Sequence, residues 1–428
     1  MNKPITVLYA VQVSNFTHVD GKPKWLLRND ACMNIAIGII SNILEKYPDQ
    51  FKFIVKLPPI SDCDDLMSYE QIFNPKYLDR IRIYQESLPI SPVTSRFNFD
   101  FAHHQENAEL LKTADVMIND ENTLTKNWRV FYDSIGKRIP IVSTNYFMDS
   151  PVSPKSDLKV RYYERQMESL IASDMFSYPV QSALDEALQA YDFMFKDRKW
   201  LAQSTVWNIG AYYNEVASKK MSKRRYKPVI YFGNRITDTA GRYTNWHLFA
   251  EAIGKLSERI DPNDFEAIIL NPTRKVTEEQ ANLIKELSKG HVIVLPNNGK
   301  FSREEYVEFI NNAHISCNLF TNEVHGGLTH VEAMMAGCIM VAPNINDYIY
   351  KYEDSNNLEN YPFLIETNNK QIDMDSFVDK LELAVKTAQT DKMDEYSDLQ
   401  RELAYRYASY EMSCEIIAKD LLHLTSNQ

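Results

Sequence analysis

The sequence is poor in cysteine and has no cysteine pair at short spacing. Its 428 residues contain five cysteines, none of them in a C-x-x-C motif. This scarcity argues against a zinc ribbon and against the disulfide framework of a small secreted protein. A reducing interior such as the cytoplasm is therefore the expected location.

Long apolar runs are also absent. No stretch approaches the roughly 20 consecutive apolar residues that a membrane-spanning helix needs. The apolar stretch Ile5–Val11 is too short, and wrongly flanked, for a signal peptide. The sequence therefore predicts a soluble protein.

The chain has no excess of basic charge. Its 47 lysines and arginines are outnumbered by 58 aspartates and glutamates, which gives a formal net charge of −11. This balance opposes generalised nucleic-acid binding, although it leaves room for a local basic patch. With 44% hydrophobic and 25% charged residues, the composition is that of an ordinary globular protein.

Short β-branched runs alternate with amphipathic stretches of helix length along most of the chain. This alternation is typical of βα units and predicts an α/β protein with two parallel sheets. The predicted strands of the first half are Ile5–Val11, Phe51–Leu57, Ile81–Tyr84, Val116–Asn119, Ile139–Thr144 and Thr205–Ile209. Those of the second half are Val229–Phe232, Phe265–Leu270, His291–Leu295, His314–Phe320, Cys338–Ala342 and Phe363–Ile365. The predicted helices are Asp30–Lys46, Tyr162–Ala172, Thr244–Arg259, Thr277–Lys289, Arg303–Asn312 and Leu328–Ala336.

A basic segment without apolar periodicity, Ser218–Pro228, separates the two halves. Such a segment indicates a linker. The predicted organisation is a first domain at 1–217, the linker at 218–228 and a second domain at 229–395. The helix at 396–428 is expected to cross back onto the first domain.

The segment Thr321–Pro343, TNEVHGGLTHVEAMMAGCIMVAP, carries the strongest functional signal. It follows a predicted strand, passes through Gly326 and Gly327, and enters a helix that carries Glu332. Such an arrangement makes an anion site, because unpaired backbone N–H groups and the positive end of the helix dipole face the loop. Glycine lets the backbone approach a phosphate closely. Glu332 is placed to accept hydrogen bonds from a diol such as ribose.

This segment resembles the nucleotide-sugar-dependent glycosyltransferases of the GT-B fold, especially the retaining group that carries a Glu-x7-Glu motif. The run GLTHVEAMMAG, from Gly327 to Gly337, is similar to the family's segment nearly position by position. The resemblance implies two Rossmann-like doubly wound domains that face each other across a cleft. It also implies that Glu332 binds the nucleotide ribose and that backbone N–H groups near Leu328 and Thr329 bind the diphosphate.

Two other residues of the second half have open roles. Glu323 and Glu332 are separated by eight residues, whereas the family motif has seven. Either the loop is one residue longer, or Glu323 is not the family's donor-sugar ligand; Glu323 is kept as a candidate catalytic residue. Asn298 lies where the family holds the nucleotide base, but an ordinary turn explains it equally well.

A second match opens the second half of the chain. The run YFGNR, Tyr231–Arg235, resembles the family's Gly-Arg-Leu element, in which an arginine and a later lysine clamp the diphosphate. The resemblance assigns these two roles to Arg235 and Arg242, and it places Gly233 beside them. Cations at this place would stabilise the negative charge that grows on the leaving diphosphate.

Candidates for acceptor binding lie in the first half. A basic and aromatic loop follows the first strand and suits an anionic or cyclic acceptor, although a solvated excursion explains it equally well. Its candidate residues are His18, Lys22, Lys24, Trp25 and Arg28. Asp149, after the strand Ile139–Thr144, is a candidate to orient or deprotonate the acceptor hydroxyl, although an aspartate before Ser-Pro is more often a turn former.

Two Asp-x-Asp runs are candidate metal ligands, because the other large glycosyltransferase fold uses this motif to hold a divalent cation. The run Asp62–Asp64 lacks the expected strand context, and Asp373 reads as the cap of a helix. We predict no essential metal and no cofactor besides the nucleotide sugar as co-substrate. His103 and His104 follow no metal-ligand spacing and are expected to have surface or capping roles.

The resemblance thus implies a glycosyltransferase that moves a hexosyl or pentosyl group from a nucleotide sugar, expected to be a UDP-sugar, to an acceptor hydroxyl with retention. The acceptor is either a glycan, including a lipid-linked sugar, or a hydroxymethylated pyrimidine in duplex DNA, as in phage DNA-modifying enzymes of this fold. Two alternatives stay open. The chain could be a GT-B-fold sugar-nucleotide epimerase, or a non-catalytic paralogue that binds the donor only.

Overall fold

The computed structural model describes most of the chain in two compact units. The described residues are 3–13, 15–28, 30–86, 98–144, 158–194, 201–217, 227–234, 236, 244–271, 276–295, 302–320, 327–344, 361–368 and 371–426. Unit 1 comprises Met1–Ile209 and Tyr410–Gln428, and unit 2 comprises Gly210–Ser409. Of the predicted linker, only residues 227 and 228 are described.

Unit 1 is built on a parallel sheet that, in the described part of the chain, has seven strands in the order β5-β4-β1-β6-β7-β8-β9. These strands are β1 (Ile5–Ala10), β4 (Phe51–Leu57), β5 (Ile81–Gln85), β6 (Val116–Asn119), β7 (Ile141–Thr144), β8 (Met175–Tyr178) and β9 (Gln203–Val206). The chain leaves β1 toward β4 and β5, then returns to the other side of β1 with β6. The strand order therefore reverses between β1 and β6, which is the topological switch point of this sheet.

Helices cover this sheet, and a hairpin follows β1. The helices are α1 (Ala31–Lys46), α2 (Phe101–Glu106), α3 (Ala108–Leu111), α4 (Thr125–Ser134), α5 (Leu158–Ala172) and α6 (Gln181–Met194). Asp30 caps α1, where its Oδ1 accepts a hydrogen bond from the Met33 N–H at 2.9 Å. The loop expected after β1 is instead an antiparallel pair, β2 (Phe16–Val19) and β3 (Lys22–Trp25). Asp20 and Gly21 at its tip both have positive φ, as a two-residue hairpin turn requires.

Unit 2 repeats the doubly wound plan with a six-stranded parallel sheet in its described residues, in the order β12-β11-β10-β13-β14-β15. These strands are β10 (Val229–Phe232), β11 (Glu266–Leu270), β12 (Val292–Leu295), β13 (Ile315–Cys317), β14 (Ile339–Pro343) and β15 (Leu364–Ile365). A short antiparallel pair, β16 (Thr367–Asn368) and β17 (Gln371–Ile372), follows. The strand order reverses between β10 and β13, which is the switch point of this sheet.

The helices of unit 2 pack on its sheet around one apolar core. They are α7 (Tyr213–Val216), α8 (Trp246–Leu256), α9 (Glu278–Leu287), α10 (Arg303–Asn312), α11 (Gly327–Met335), α12 (Met374–Ala388) and α13 (Lys392–Ala408). Helices α9 and α10 begin with capping boxes, in which the side chains of Thr277 and Ser302 accept from the backbone N–H groups of Gln280 and Glu305, three residues on. The strands β10, β13 and β14 are almost wholly buried, as expected of a parallel sheet with both faces covered.

The last helix, α14 (Tyr410–Ser426), belongs to unit 1. A Cβ atom at Gly38 of α1 would overlap the Tyr410 ring, so the two helices approach closely at this glycine. The division at Ile209 replaces the predicted domain end at 217, because Val216 of α7 lies in the core of unit 2. The chain returns to unit 1 at Tyr410 rather than at the predicted residue 396, because α13 also packs in the core of unit 2.

The prediction of an α/β protein with two parallel sheets is confirmed. The predicted bounds of Phe51–Leu57, Val116–Asn119, Val229–Phe232 and Arg303–Asn312 agree with the structure. The hairpin, the strand β8 and the helices α4 and α6 were not predicted.

Candidate functional site

The carboxyl ends of β10 and β13 lie at the switch point of the second sheet, which is where doubly wound sheets bind ligands. Gly233 and Asn234 follow β10, and Asn318 follows β13. Both asparagines are buried. Asn245, at the start of α8, donates from its Nδ2 to the Leu319 carbonyl at 2.8 Å. The edge of the sheet is thus lined by short polar side chains held in fixed positions.

Helix α11 starts at this edge, with Gly327 as its first residue. Gly327 has φ +74°, a conformation that favours glycine because other residues are strained there. The Thr329 hydroxyl donates to Asn234 Oδ1 at 2.9 Å, which ties the first turn of α11 to the end of β10. The unpaired N–H groups of a first helical turn and the helix dipole together favour an anion at this position.

Gly233 lies beside the first turn of α11. A Cβ atom at this position would lie 3.0 Å from the Tyr231 ring and 4.0 Å from Thr329 Cβ. A side chain here would crowd the Tyr231 ring of its own strand, whereas glycine leaves the backbone accessible to a ligand. The structure therefore brings Gly233, Thr329 and Gly327 of the predicted donor set to one place, with Leu328 beside them in the first turn of α11.

Glu332 lies one turn further along α11, and its carboxylate is paired with an arginine. Its side chain is only 10% exposed, and its Oε1 lies 2.6 Å from Arg303 Nη1. Arg303 is the first residue of α10. The same guanidinium group donates from Nε and Nη2 to the two oxygens of Glu215 in α7, at 3.1 Å each. One arginine thus joins three helices of unit 2 through two carboxylates.

The ring of Tyr306 packs against this ion pair. The Tyr306 ring lies under the Arg303 guanidinium, whose Cζ is 5.5 Å from the ring centroid. Burial raises the pKa of the Tyr306 hydroxyl well above its usual value, and the negative charge of Glu332 raises it further. Burial opposes the charge of Arg303, but the Glu332 and Glu215 carboxylates outweigh it and raise the pKa of Arg303 above its usual value. The Arg303 charge is therefore permanent.

Several predicted residues lie outside the described part of the chain. These are the donor candidates Arg235, Arg242, Asn298 and Gly326 and the catalytic candidates Asp149 and Glu323. Arg303 was not predicted as a site residue. Its signal in the sequence was an arginine immediately after the helix-capping residue Ser302, at the start of a predicted helix.

The candidate acceptor residues are on or near the hairpin of unit 1. His18, Lys22 and Arg28 have exposed side chains. Lys24 is half-buried, and its Nζ donates to the Ser61 carbonyl. The Trp25 side chain is fully buried, so it holds the base of the hairpin and does not fit the expected contact with an acceptor.

The switch point of the first sheet holds acidic residues that sequence reasoning missed. Asp120 and Glu121 follow β6 directly, and both are buried. The Thr144 hydroxyl donates to Asp120 Oδ1 at 3.1 Å, and the Thr123 hydroxyl donates to Glu121 Oε1 at 2.6 Å. The signal was present as a polar run, DENT, directly after a correctly predicted strand.

None of the helices in the described residues combines the length and the hydropathy needed to cross a bilayer. In the same residues, no group of three or more histidine, cysteine, aspartate or glutamate side chains is arranged to hold a metal ion.

Comparison with known proteins gives matches in structure but not in sequence. No family model matches the chain, and no curated protein matches it in sequence. A glycosyltransferase from Rickettsia africae ESF-5 has a TM-score of 0.64 at 13% identity, with 100% of each chain covered. Anabaena HepE in complex with UDP has a TM-score of 0.66 at 14% identity, with 98% of this chain and all of the other covered. Sucrose-phosphate synthase from Thermosynechococcus elongatus has a TM-score of 0.63 at 10% identity, with 99% and 100% covered. These likenesses extend over both units, and the chain has the GT-B fold.

Proposed function

We propose that the protein is a glycosyltransferase that takes a sugar from a UDP-sugar and transfers it to an acceptor hydroxyl with retention of configuration. The observation that carries the proposal is the start of α11 at the switch point of unit 2, followed by a buried, paired carboxylate at Glu332. An amide-lined helix start suits the diphosphate, and a carboxylate one turn on suits the ribose diol. The fold supports the proposal, since the similar HepE structures contain UDP or UDP-glucose.

The donor residues have distinct roles in this proposal. Backbone N–H groups of Gly327, Leu328 and Thr329 would bind the diphosphate. They would also stabilise the charge that develops as the bond between sugar and phosphate breaks. Arg235 and Arg242 are proposed to add positive charge, and Asn298 is proposed to contact the base. The reaction then needs no residue to act as a nucleophile, and Glu323 is proposed to contact the donor sugar.

Acceptor binding is assigned to unit 1. We propose that His18, Lys22, Lys24 and Arg28 contact the acceptor. The buried position of Asp120 at the switch point makes it, beside Asp149, a candidate to accept the hydrogen bond of the attacking hydroxyl.

A calorimetric titration tests donor binding. The wild-type protein is expected to bind UDP and at least one UDP-sugar. Glu332→Ala should weaken that binding about tenfold or more, because a hydrogen bond to a charged group is lost. Glu278→Gln, an exposed acid on α9, is the matched control and should bind as wild type. An unchanged affinity in Glu332→Ala would remove this residue from the site.

The acceptor class is tested by offering both candidates at low salt. A glycan acceptor predicts transfer to oligosaccharide that tolerates added salt. Duplex DNA with hydroxymethylated pyrimidines predicts binding that falls steeply as salt rises, since counterions are released, and the target base would be flipped out. An NMR assignment of the product's anomeric configuration tests retention. Conversion of the UDP-sugar without any acceptor would instead indicate the epimerase, and binding without turnover the non-catalytic paralogue.

A further inference from the structure

The Arg303 guanidinium contacts two carboxylates, and direct binding of the donor does not explain this arrangement. Arg303 is the first residue of α10, yet its guanidinium contacts a carboxylate on α7 and another on α11. The contact with Glu215 is bidentate, with Nε and Nη2 each 3.1 Å from a carboxylate oxygen. The contact with Glu332 is made by the remaining nitrogen, Nη1, at 2.6 Å. All three nitrogens of the Arg303 guanidinium are therefore in contact with carboxylate oxygens.

These contacts fix the orientation of the Arg303 guanidinium and, through it, that of the Glu332 carboxylate. A bidentate pair between a guanidinium and a carboxylate holds the guanidinium plane, because two parallel N–H···O bonds allow only one orientation. Glu215 holds the plane of the Arg303 guanidinium, and the Tyr306 ring lies against its face. Nη1 is therefore held at one position. Glu332 Oε1 is bound at that point, so the rotation of the Glu332 carboxyl group is fixed too.

The burial of Glu332 makes this pairing necessary. A carboxylate with a side chain only 10% exposed has lost most of its hydration and needs a charged partner in the protein. Without Arg303, the Glu332 side chain would turn toward solvent. It would then no longer present an oxygen to a ligand in a defined direction.

We propose that Arg303 is a positioning residue for the donor: held by Glu215, it fixes the Glu332 carboxylate so that one oxygen stays available to the ribose diol of the nucleotide. The proposal rests on the proposed function. Its consequence is specificity for a ribonucleotide over one that lacks the two ribose hydroxyls. When the nucleotide lacks the diol, the oriented oxygen of Glu332 has no hydroxyl group to accept from, and binding is weakened. A carboxylate that is not oriented discriminates less between the two nucleotides.

The test compares the dissociation constants of UDP and of 2′,3′-dideoxy-UDP by calorimetry, and measures thermal unfolding of each variant alongside. The wild-type protein is expected to bind UDP about tenfold or more tightly than the dideoxy analogue. In Arg303→Met, UDP binding should weaken about tenfold, and the ratio of the two constants should fall to about threefold or less. Arg303→Lys keeps the positive charge but cannot make the bidentate contact, and should give an intermediate ratio of the two dissociation constants.

The chain offers a matched control in Arg259. Its side chain is 38% exposed against 40% for Arg303, and it also pairs with two carboxylates of unit 2, Asp379 and Glu382. Arg259→Met should leave both dissociation constants unchanged. Glu215→Gln releases Arg303 without touching Glu332, and should lower the ratio in the same direction as Arg303→Met. If Arg303→Met does not fold, Arg303→Lys and Glu215→Gln carry the test.

The outcomes separate the two proposals. If Arg303→Met loses thermal stability but keeps the wild-type ratio, Arg303 has a structural role only, and the positioning role is overturned. A wild-type protein that binds UDP and its dideoxy analogue equally well also overturns the positioning role, while the nucleotide site stands. If the wild-type protein binds neither, the proposed function fails, and the positioning role fails with it.

Discussion

Gly337 ends α11 by a backbone conformation that other residues adopt only with strain. Its φ is +78°, and its N–H donates to the Met334 carbonyl at 2.8 Å while the Cys338 N–H donates to that of Ala333 at 3.0 Å. These are the bonds of a helix that stops at a left-handed residue. A Cβ atom at this position would also overlap Ser397 Oγ and lie 2.8 Å from Arg401 Cζ, so α13 packs directly over the glycine.

Replacing Gly337 with alanine should therefore lower the free energy of unfolding by about 3 kcal/mol, from backbone strain and overpacking together. Gly290→Ala is the control, since Gly290 has φ +80° with no atom within 4 Å of the added Cβ, and should cost about 1 kcal/mol. Urea unfolding of both variants is the measurement. Equal losses would show that the approach of α13 adds nothing.

His104 was expected at the surface or at a helix cap, but its side chain is fully buried. Its Nδ1 lies 2.6 Å from the Tyr84 hydroxyl, and its Nε2 lies 3.3 Å from Glu86 Oε1. Lys56 Nζ lies 2.8 Å from the other oxygen of Glu86. Burial lowers the pKa of His104 to about 4, although the Glu86 carboxylate partly offsets it. The imidazole is therefore neutral in the folded protein at neutral pH.

This pKa predicts a pH dependence of stability with a definite sign. Between about pH 6.5 and pH 4 the unfolded chain binds a proton at this position that the folded chain does not. The free energy of unfolding should fall across that window as the pH falls, by up to about 3 kcal/mol. His104→Gln removes the titrating group, so its stability should change less between pH 7.5 and pH 4.5. The idea fails if urea unfolding gives the same change for both proteins.

At the scale of elements, α14 is held in unit 1 by an acid on its buried face. Asp420 Oδ2 accepts from Trp207 Nε1 at 2.9 Å and from the Thr205 hydroxyl at 3.0 Å. These bonds join the last helix to β9 and to the residue that follows it. Near the other end of the helix, the Ser413 hydroxyl donates to the Asn208 carbonyl at 2.6 Å.

Asp420→Ala leaves the Trp207 indole N–H without its partner, and should destabilise unit 1 by about 2 kcal/mol. Glu415→Ala is the control on the same helix, because Glu415 forms an exposed pair with Lys46 that is worth less than about 1 kcal/mol. Urea unfolding followed by tryptophan fluorescence measures both. Similar losses in the two variants would mean that Asp420 does not anchor the helix.

Which elements the sequence predicted depends on how much of each is buried. Phe51–Leu57 and Val229–Phe232 are mostly apolar and read as buried parallel strands. The hairpin was missed because β2 and β3 are partly exposed and polar and β3 contains Pro23, so no apolar alternation marks them. Helix α4 was missed because three aromatic and two β-branched residues lie among polar neighbours, where propensity favours no single structure.

At the scale of the whole molecule, the repeated βα pattern was enough to predict two parallel sheets, and the family resemblance implied that they are doubly wound. The helix start at Gly327 and the position of Glu332 in α11 could also be predicted, because helix start, glycine and acid are neighbours in the sequence. The Arg303 and Glu215 contacts could not, since their partners are far apart along the chain and only the packing of α7, α10 and α11 brings them together.

The central claim is that the start of α11 binds the diphosphate of a UDP-sugar and that Glu332 binds its ribose. A crystal structure of the protein with UDP tests it most directly. We expect the diphosphate within about 3 Å of the backbone nitrogens of Gly327–Thr329, and a ribose hydroxyl at hydrogen-bond distance from Glu332. UDP bound elsewhere, or a start of α11 that stays empty at saturating UDP, would contradict the account.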